Sequence, residues 1–210
     1  MTKKVIGIDF DNTIILYDEL VFKVALEMSL IPSTLPHNKT VIRDHLRTLE
    51  DGDEKWQRVQ GQIYGKRILE AKPASGFNEF VIKARKNGYM LYIVSHKTQF
   101  GHFDESKADL RVAARTWMRA KNFFSPSGLK FEDKDVHFAS TREDKINLIN
   151  KLSCGIFIDD LPEVLMEPTF PASCSKILFG TSYDKLASNI LPCSNWPAVL
   201  KTHLFTSWKD

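Results

Sequence analysis

At 210 residues the chain is long enough for one sizeable core with an inserted subdomain, and too short for two ordinary domains. An apolar share of 43% and a charged share of 26% exclude a disordered chain. The formal charge of +3, from 29 Lys and Arg against 26 Asp and Glu, permits anionic substrates but gives no reason to expect a nucleic-acid platform.

The first element is the most informative. Val5, Ile6 and Ile8, with only Gly7 among them, read as a buried strand, and Asp9 and Asp11 stand where that strand ends, followed by Asn12 and Thr13. From Leu16 to Met28 apolar residues recur at helical spacing, with a stop expected by Pro32. Residues 31–73 are polar and rich in basic and aromatic side chains; helices are expected near 40–49 and 54–70, with Gly61 and Gly65 weakening the second. Residues 16–72 therefore read as a helical insert over the edge that carries Asp9 and Asp11, with residues 1–15 and 73–210 as the core. Within the insert Arg43, Arg47, Trp56, Arg58, Tyr64 and Lys66 are candidates to touch substrate, but each reads more readily as part of a solvated helix face, with Trp56 as a core anchor.

Helical spacing resumes over 78–86, and Asn87-Gly88 stops it. Residues 89–94 make a continuous apolar strand ending in Ser95-His96-Lys97. A loop over 98–105 and a helix over 106–122 follow. A third strand, 136–139, runs into Ser140-Thr141; Thr141 with Asp144 makes a helix cap that puts Lys145 in the first turn of a helix through Leu152. A fourth strand, 155–158, ends in Asp159-Asp160, and a fifth covers 177–179. From Tyr183 onward, Pro192 and Pro197 suggest an irregular tail. Strands alternating with helices imply a doubly wound α/β core with a mainly parallel sheet covered on both faces.

Polar groups thus recur at the carboxyl ends of successive strands, where open parallel sheets collect ligands. Asp9 and Asp11 repel one another unless a cation sits between them, and a hard divalent ion with oxygen ligands, most simply Mg²⁺, answers that need. A hydroxyl at Ser95 and an ammonium at Lys145 suit an anion, and one carboxylate remains to attack. The set has the composition of a phosphoryl-transfer site.

The order DxDxT, a strand ending in Ser, then Lys, then a strand ending in Asp-Asp resembles the four signature motifs of the haloacid dehalogenase-like hydrolase superfamily, over residues 5–164. That resemblance implies a Rossmann-like core with a small cap and an Mg²⁺-dependent phosphatase working through an aspartyl-phosphate. It implies that Asp9 is the nucleophile and a metal ligand, and that Asp11 protonates the leaving oxygen and then activates water, its carbonyl also on the metal. It implies further that Asn12, Ser95 and Lys145 hold the phosphoryl group. Asp160 is the direct metal ligand with Asp159 in the first or second shell, and Glu163 is a weaker addition. Lys134 and Lys151 bracket Lys145 but fit its place less well; His96 and Lys97, directly after Ser95, are expected to line the entrance, to lie behind the site or to sit at the surface. An acid at Asp11 disfavours carbon–halogen hydrolysis.

The implied substrate is a small soluble phosphate ester, a sugar phosphate, nucleotide or similar, with transfer to another acceptor or a nucleic-acid end as alternatives and a non-catalytic binding role behind them. Cys154, Cys174 and Cys193 lack CxxC spacing and suggest neither a zinc site nor disulfides, so reduced thiols in a cytoplasmic protein are expected. The apolar run behind Lys3 and Lys4 is interrupted by acids almost at once, so neither signal peptide nor membrane span is expected.

Overall fold

Four buried residues in succession, Val5–Ile8, form β1, the pattern of a strand covered on both faces. The computed structural model of the protein describes residues 4–101, 107–180, 186–206 and 208. After β1 the chain makes two short strands, β2 (Ile15–Leu16) and β3 (Lys72–Pro73), which form a sheet of their own. The main sheet has six strands. With β1 it contains β4 (Met90–His96), β5 (Val136–Ala139), β6 (Ile156–Asp159), β7 (Ser175–Phe179) and β8 (Ile190–Cys193), in the order β5-β4-β1-β6-β7-β8. Every pairing in it is parallel. The strand order reverses between β1 and β6, the switch point at which α/β sheets open a crevice beyond their carboxyl ends.

The helices are α1 (Asp18–Glu27), α2 (Lys39–Arg47), α3 (Gly52–Gly61), α4 (Phe77–Lys86), α5 (Leu110–Ala120), α6 (Arg142–Lys151), α7 (Pro162–Leu165) and α8 (Trp196–Leu200). Ile146 and Ile149 of α6 and Val164 and Leu165 of α7 cluster with Val5, Val94, Phe157 and Leu178 on one face of the sheet. Alternate strand residues face opposite ways, and Phe179, next to Leu178, meets Trp196 of α8 with ring centroids 5.0 Å apart. Phe77 and Phe80 of α4 complete that aromatic layer, 5.1 and 4.6 Å from Trp196. Gly7 is set by packing, because a Cβ there would lie 2.6 Å from Phe157 Cδ2 and 2.9 Å from Cys154 Sγ.

Compactness divides the chain into two units: Met1–Ile15, Pro73–Lys97 and Asn122–Asp210 make one, and Leu16–Lys72 with Thr98–Lys121 make the other. The segment 98–121, expected in the core, thus joins the helical unit. The reason lies in α5, whose Leu110, Ala114, Trp117 and Met118 are buried, and whose Trp117 Nε1 donates to the Ala71 carbonyl at 2.9 Å. The single helix expected over 54–70 breaks near the glycines: α3 stops at Gly61, a π-helical turn covers Gln62–Lys66 and a 3-10 turn covers Ile68–Glu70. Trp56 is buried, while Arg47 and Arg58 pair with Asp53 and Glu54 at the surface.

Helix α5 begins at Leu110 rather than near 106, because Asp109 caps it by accepting from the Arg111 and Val112 N–H groups; residues 102–106 lie outside the described residues. The tail is ordered where both prolines suggested otherwise. Pro192 sits in β8, an edge strand that tolerates a missing N–H. Pro197 occupies the first turn of α8 behind the Asn195 cap, where a helix needs no proline N–H. Residues 183–185, the start of that expected tail, lie outside the described residues. No helix among the described residues is long and apolar enough to cross a membrane.

Candidate active site

The turn after β1 presents the first two acids. Asp9 N–H donates to the Ile158 carbonyl at 2.8 Å, which carries the β1–β6 ladder one residue past the strand. The chain then folds back: Ile14 and Ile15 N–H both reach the Phe10 carbonyl, and Asn12 N–H reaches the Ile15 carbonyl at 2.8 Å. This turn puts Asn12 at φ +56°, a left-handed conformation that asparagine accepts more readily than most residues. Phe10 and Ile14 are buried beneath it. Trp196 Nε1 donates to the Thr13 carbonyl at 3.1 Å, so α8 ties down the far end of the turn.

Lys145 reaches the same place from α6. Thr141 Oγ1 accepts from Asp144 N–H at 3.0 Å as the helix cap, which points the first turn toward the strand ends. The Lys145 ammonium, 1% exposed, lies 2.6 Å from Asp9 Oδ1 and 2.7 Å from Asp159 Oδ2. Asp159 is wholly buried and its Oδ1 accepts from Leu161 N–H at 3.0 Å. Carboxylate oxygens of Asp9, Asp159 and Asp160 all lie within 4.8 Å of one another. Asn12 Nδ2 donates to Asp160 Oδ2 at 3.1 Å. Thus Asn12, expected on the phosphate, directs its N–H to Ile15 and its amide to an acid of the cluster.

Ser95 is 1% exposed and its Oγ is buried with no hydrogen-bond partner among the described residues. His96 points the other way, exposed, with Nε2 3.0 Å from the Ser140 carbonyl. Glu163 is exposed on α7, Lys134 pairs with Glu132 at the surface, and Lys151 is an exposed residue at the end of α6. Lys145 is the lysine of the three that the fold brings to the acids.

Lys97 is the residue left out of the expected catalytic and binding set. Its side chain is 3% exposed, and its ammonium lies 2.8 Å from Asp11 Oδ2 and 3.1 Å from Oδ1. A signal for it exists in the sequence. Side chains of a strand alternate, so continuing β4 by one residue places Lys97 on the same side as Ser95 and opposite His96. The Lys97 N–H to Ala139 carbonyl bond at 2.9 Å is that continuation.

Electrostatics follow from burial. Removal from water pushes the Asp9 carboxyl well above its ordinary range; Lys145 opposes this, and Asp159, Asp160 and Asp11 add to it. Burial also works against the Lys145 ammonium, but Asp159 and Asp9 outweigh it and hold the lysine above its ordinary range. Among the described residues, the carboxylates of Asp9, Asp159 and Asp160 gather at the Lys145 ammonium, and Asp11 pairs with Lys97. The pocket therefore calls for positive charge, and its all-oxygen donor set suits a hard divalent cation. The cysteines lie outside this chemistry: burial pushes the Cys154 and Cys174 thiols up to about 12 and Cys193 to about 11, which makes them inert.

No protein-family model matches the chain, and no curated protein matches it. Solved structures do. A HAD-superfamily hydrolase, subfamily IA, from Geobacter sulfurreducens PCA is 13% identical with a TM-score of 0.57, over 97% of each chain. A predicted phosphoglycolate phosphatase from Haemophilus somnus 129PT is 16% identical with a TM-score of 0.54, over 96% of this chain and 98% of its own. Protein Tyrosine Kinase A from Mycobacterium tuberculosis is 13% identical with a TM-score of 0.63, over 95% and 97%. At these identities the likeness is one of fold, and the fold is the one found in the haloacid dehalogenase-like hydrolases.

Proposed function

We propose that this chain, with a haloacid dehalogenase-like fold, is an Mg²⁺-dependent phosphomonoester hydrolase that works through an aspartyl-phosphate on a small soluble substrate. The observation that carries the reading is Lys145, buried and bridging Asp9 and Asp159 at 2.6 and 2.7 Å beside Asp160. A carboxylate can attack a phosphate dianion only where positive charge offsets the repulsion. Lys145 supplies part of it, and the acid excess is matched to a divalent ion.

In the first half-reaction a carboxylate oxygen of Asp9 bonds to phosphorus as the ester P–O bond breaks, and Asp11 passes a proton to the departing oxygen. In the second half Asp11 takes a proton from water, whose oxygen bonds to phosphorus; the acyl-phosphate P–O bond breaks, restoring Asp9 and releasing inorganic phosphate. Ser95 Oγ, buried and without a hydrogen-bond partner among the described residues, is suited to donate to a phosphoryl oxygen. When bound, the cation supplies Lewis-acid relief of charge on the phosphoryl oxygens. Asp9, Asp160 and the Asp11 carbonyl are the groups to hold it. Both oxygens of Asp159 are engaged, with Lys145 and with Leu161 N–H, which supports Asp159 behind Asp160 rather than in its place.

The helical unit is assigned the choice of substrate, as inserts in this fold commonly restrict access. Three buried, inert thiols agree with a reducing, cytoplasmic setting. The phosphatase named among the structural neighbours supports hydrolysis. The kinase among them favours a second reading, transfer of the same aspartyl-phosphate to an acceptor other than water.

Release of phosphate from p-nitrophenyl phosphate tests the reading. Wild type is expected to turn over with Mg²⁺ and stop with a chelator, and Asp9→Asn to lose more than about 1,000-fold in kcat. Turnover by Asp9→Asn at the wild-type rate, or none by wild type with Mg²⁺, refutes it. Alcohol formed in excess of phosphate released identifies transfer.

A further inference from the structure

The helical unit holds a cavity of about 200 Å³ to which the reaction above gives no part. Two glutamines of α3, Gln57 and Gln60, line it, spaced so that they share one face of the helix. The helix widens just beyond them: Gln62–Lys66 is the π-helical turn, closed by the Arg67 N–H to Gln62 carbonyl bond at 2.9 Å, and such turns gather at functional sites. Tyr64 of that turn continues the wall, its ring edge-on to Tyr17 with centroids 4.8 Å apart. Thr98, Gly101 and Leu110 supply the rest of the lining. The Leu110 N–H to Gln99 carbonyl bond at 2.8 Å fastens the 98–101 segment to the start of α5.

The lining states what it would hold. Gln57 Oε1 is buried with no hydrogen-bond partner among the described residues, and a buried carbonyl oxygen calls for a donor. Thr98 Oγ1 donates to the Phe100 carbonyl at 3.0 Å, so toward any further group it can only accept. Among the described residues no charged side chain lines the cavity, and an ionised ligand would give up its water there without a counter-charge. Leu110 is buried and apolar, a surface for C–H groups. The cavity is smaller than the roughly 300–1,000 Å³ of sites for drug-sized ligands, a size for a single sugar ring rather than a nucleotide.

We propose that this cavity binds a neutral polyhydroxy compound, a monosaccharide or polyol, with one of its hydroxyls donating to Gln57 Oε1. A hydroxyl both donates and accepts, so one such ligand can serve the Gln57 and Thr98 acceptors and the Gln60 amide together, while its C–H groups lie against Leu110. The site is built from residues of the helical unit alone and is independent of the hydrolase reading. A chain that cleaves no phosphate ester is expected to bind the polyol all the same.

NMR titration of the full chain tests this through the amide signals of Gly61, Tyr64 and Gly101. The probes are D-ribose, D-glucose, D-sorbitol and myo-inositol, compared with cyclohexanol, which keeps the inositol ring and one hydroxyl, and with inorganic phosphate. At least one polyol is expected to shift the three signals saturably, with a Kd on the order of 1 mM. Cyclohexanol is expected to bind at least about tenfold more weakly than that polyol, and phosphate to leave the three signals in place. Gln57→Leu, which removes the amide and keeps the bulk, is expected to weaken the polyol by at least about tenfold. If Gln57→Leu does not fold, Thr98→Val is read in the same way.

Signals unmoved by every polyol up to about 100 mM, a hundredfold above that Kd, overturn the proposal. So does cyclohexanol binding as tightly as the best polyol, or an affinity unchanged in the variant. Movement of the three signals by phosphate also overturns it and makes the cavity an anion site.

Discussion

Asp9 carries opposing demands. It has to be an anion to attack, yet burial pushes its carboxyl well above the ordinary value of 3.8. For an acid whose folded value is raised, the stabilising contribution is complete below 3.8 and is lost as pH rises through the raised value. Without metal, wild type therefore gives up stability toward neutral pH at this residue. Asp9→Asn removes the ionisation and keeps the shape. Its metal-free melting temperature is expected to exceed that of wild type near neutral pH, where the buried Asp9 carboxyl is disfavoured as an anion. Melting curves from acid to neutral pH check this: the gap should close as pH approaches 3.8, and a gap independent of pH would contradict it.

At the scale of elements, the catalytic turn is shaped from both ends. The β1–β6 ladder fixes Asp9, and Trp196 of α8 fixes Thr13. Trp196→Phe keeps an aromatic ring in the layer with Phe77, Phe80 and Phe179 and removes the N–H that satisfies the buried Thr13 carbonyl. Leaving such a group unpaired costs about 1–3 kcal/mol, so chemical denaturation should show a lower midpoint. Turnover should fall as well, because the turn that presents Asp9 and Asp11 loses a tether; unchanged stability and unchanged kcat would argue that α8 does not support the turn. The expectation of a formless tail overlooked this support. A proline counts as a breaker only where its missing N–H was needed, and neither Pro192 on an edge strand nor Pro197 in a first helical turn occupies such a place.

For the molecule as a whole, the acid excess at the switch point links folding to metal. A cation that binds the native state alone stabilises it by about 2.7 kcal/mol at a hundredfold excess over its Kd. Mg²⁺ should therefore raise the melting temperature and a chelator reverse it, while Asp160→Asn should fold normally and lose most of that response. A full response in Asp160→Asn would place the ion elsewhere.

The strands, and the acids and hydroxyl at their ends, were legible in the sequence because a buried parallel strand is an unbroken apolar run and its end is marked by the first polar residue. The placement of Asp9, Ser95 and Asp159-Asp160 at strand ends follows from this, and that of Lys145 near the start of α6 from its helix cap. Less was legible where the deciding partner is remote in the chain. Trp117 joins α5 to the helical unit through Ala71, Asn12 turns its amide to Asp160, and Lys97 finds Asp11 across 86 positions. Periodicity along the chain states what a residue must avoid, water or apolar surroundings; only the assembled tertiary structure states which charge it meets.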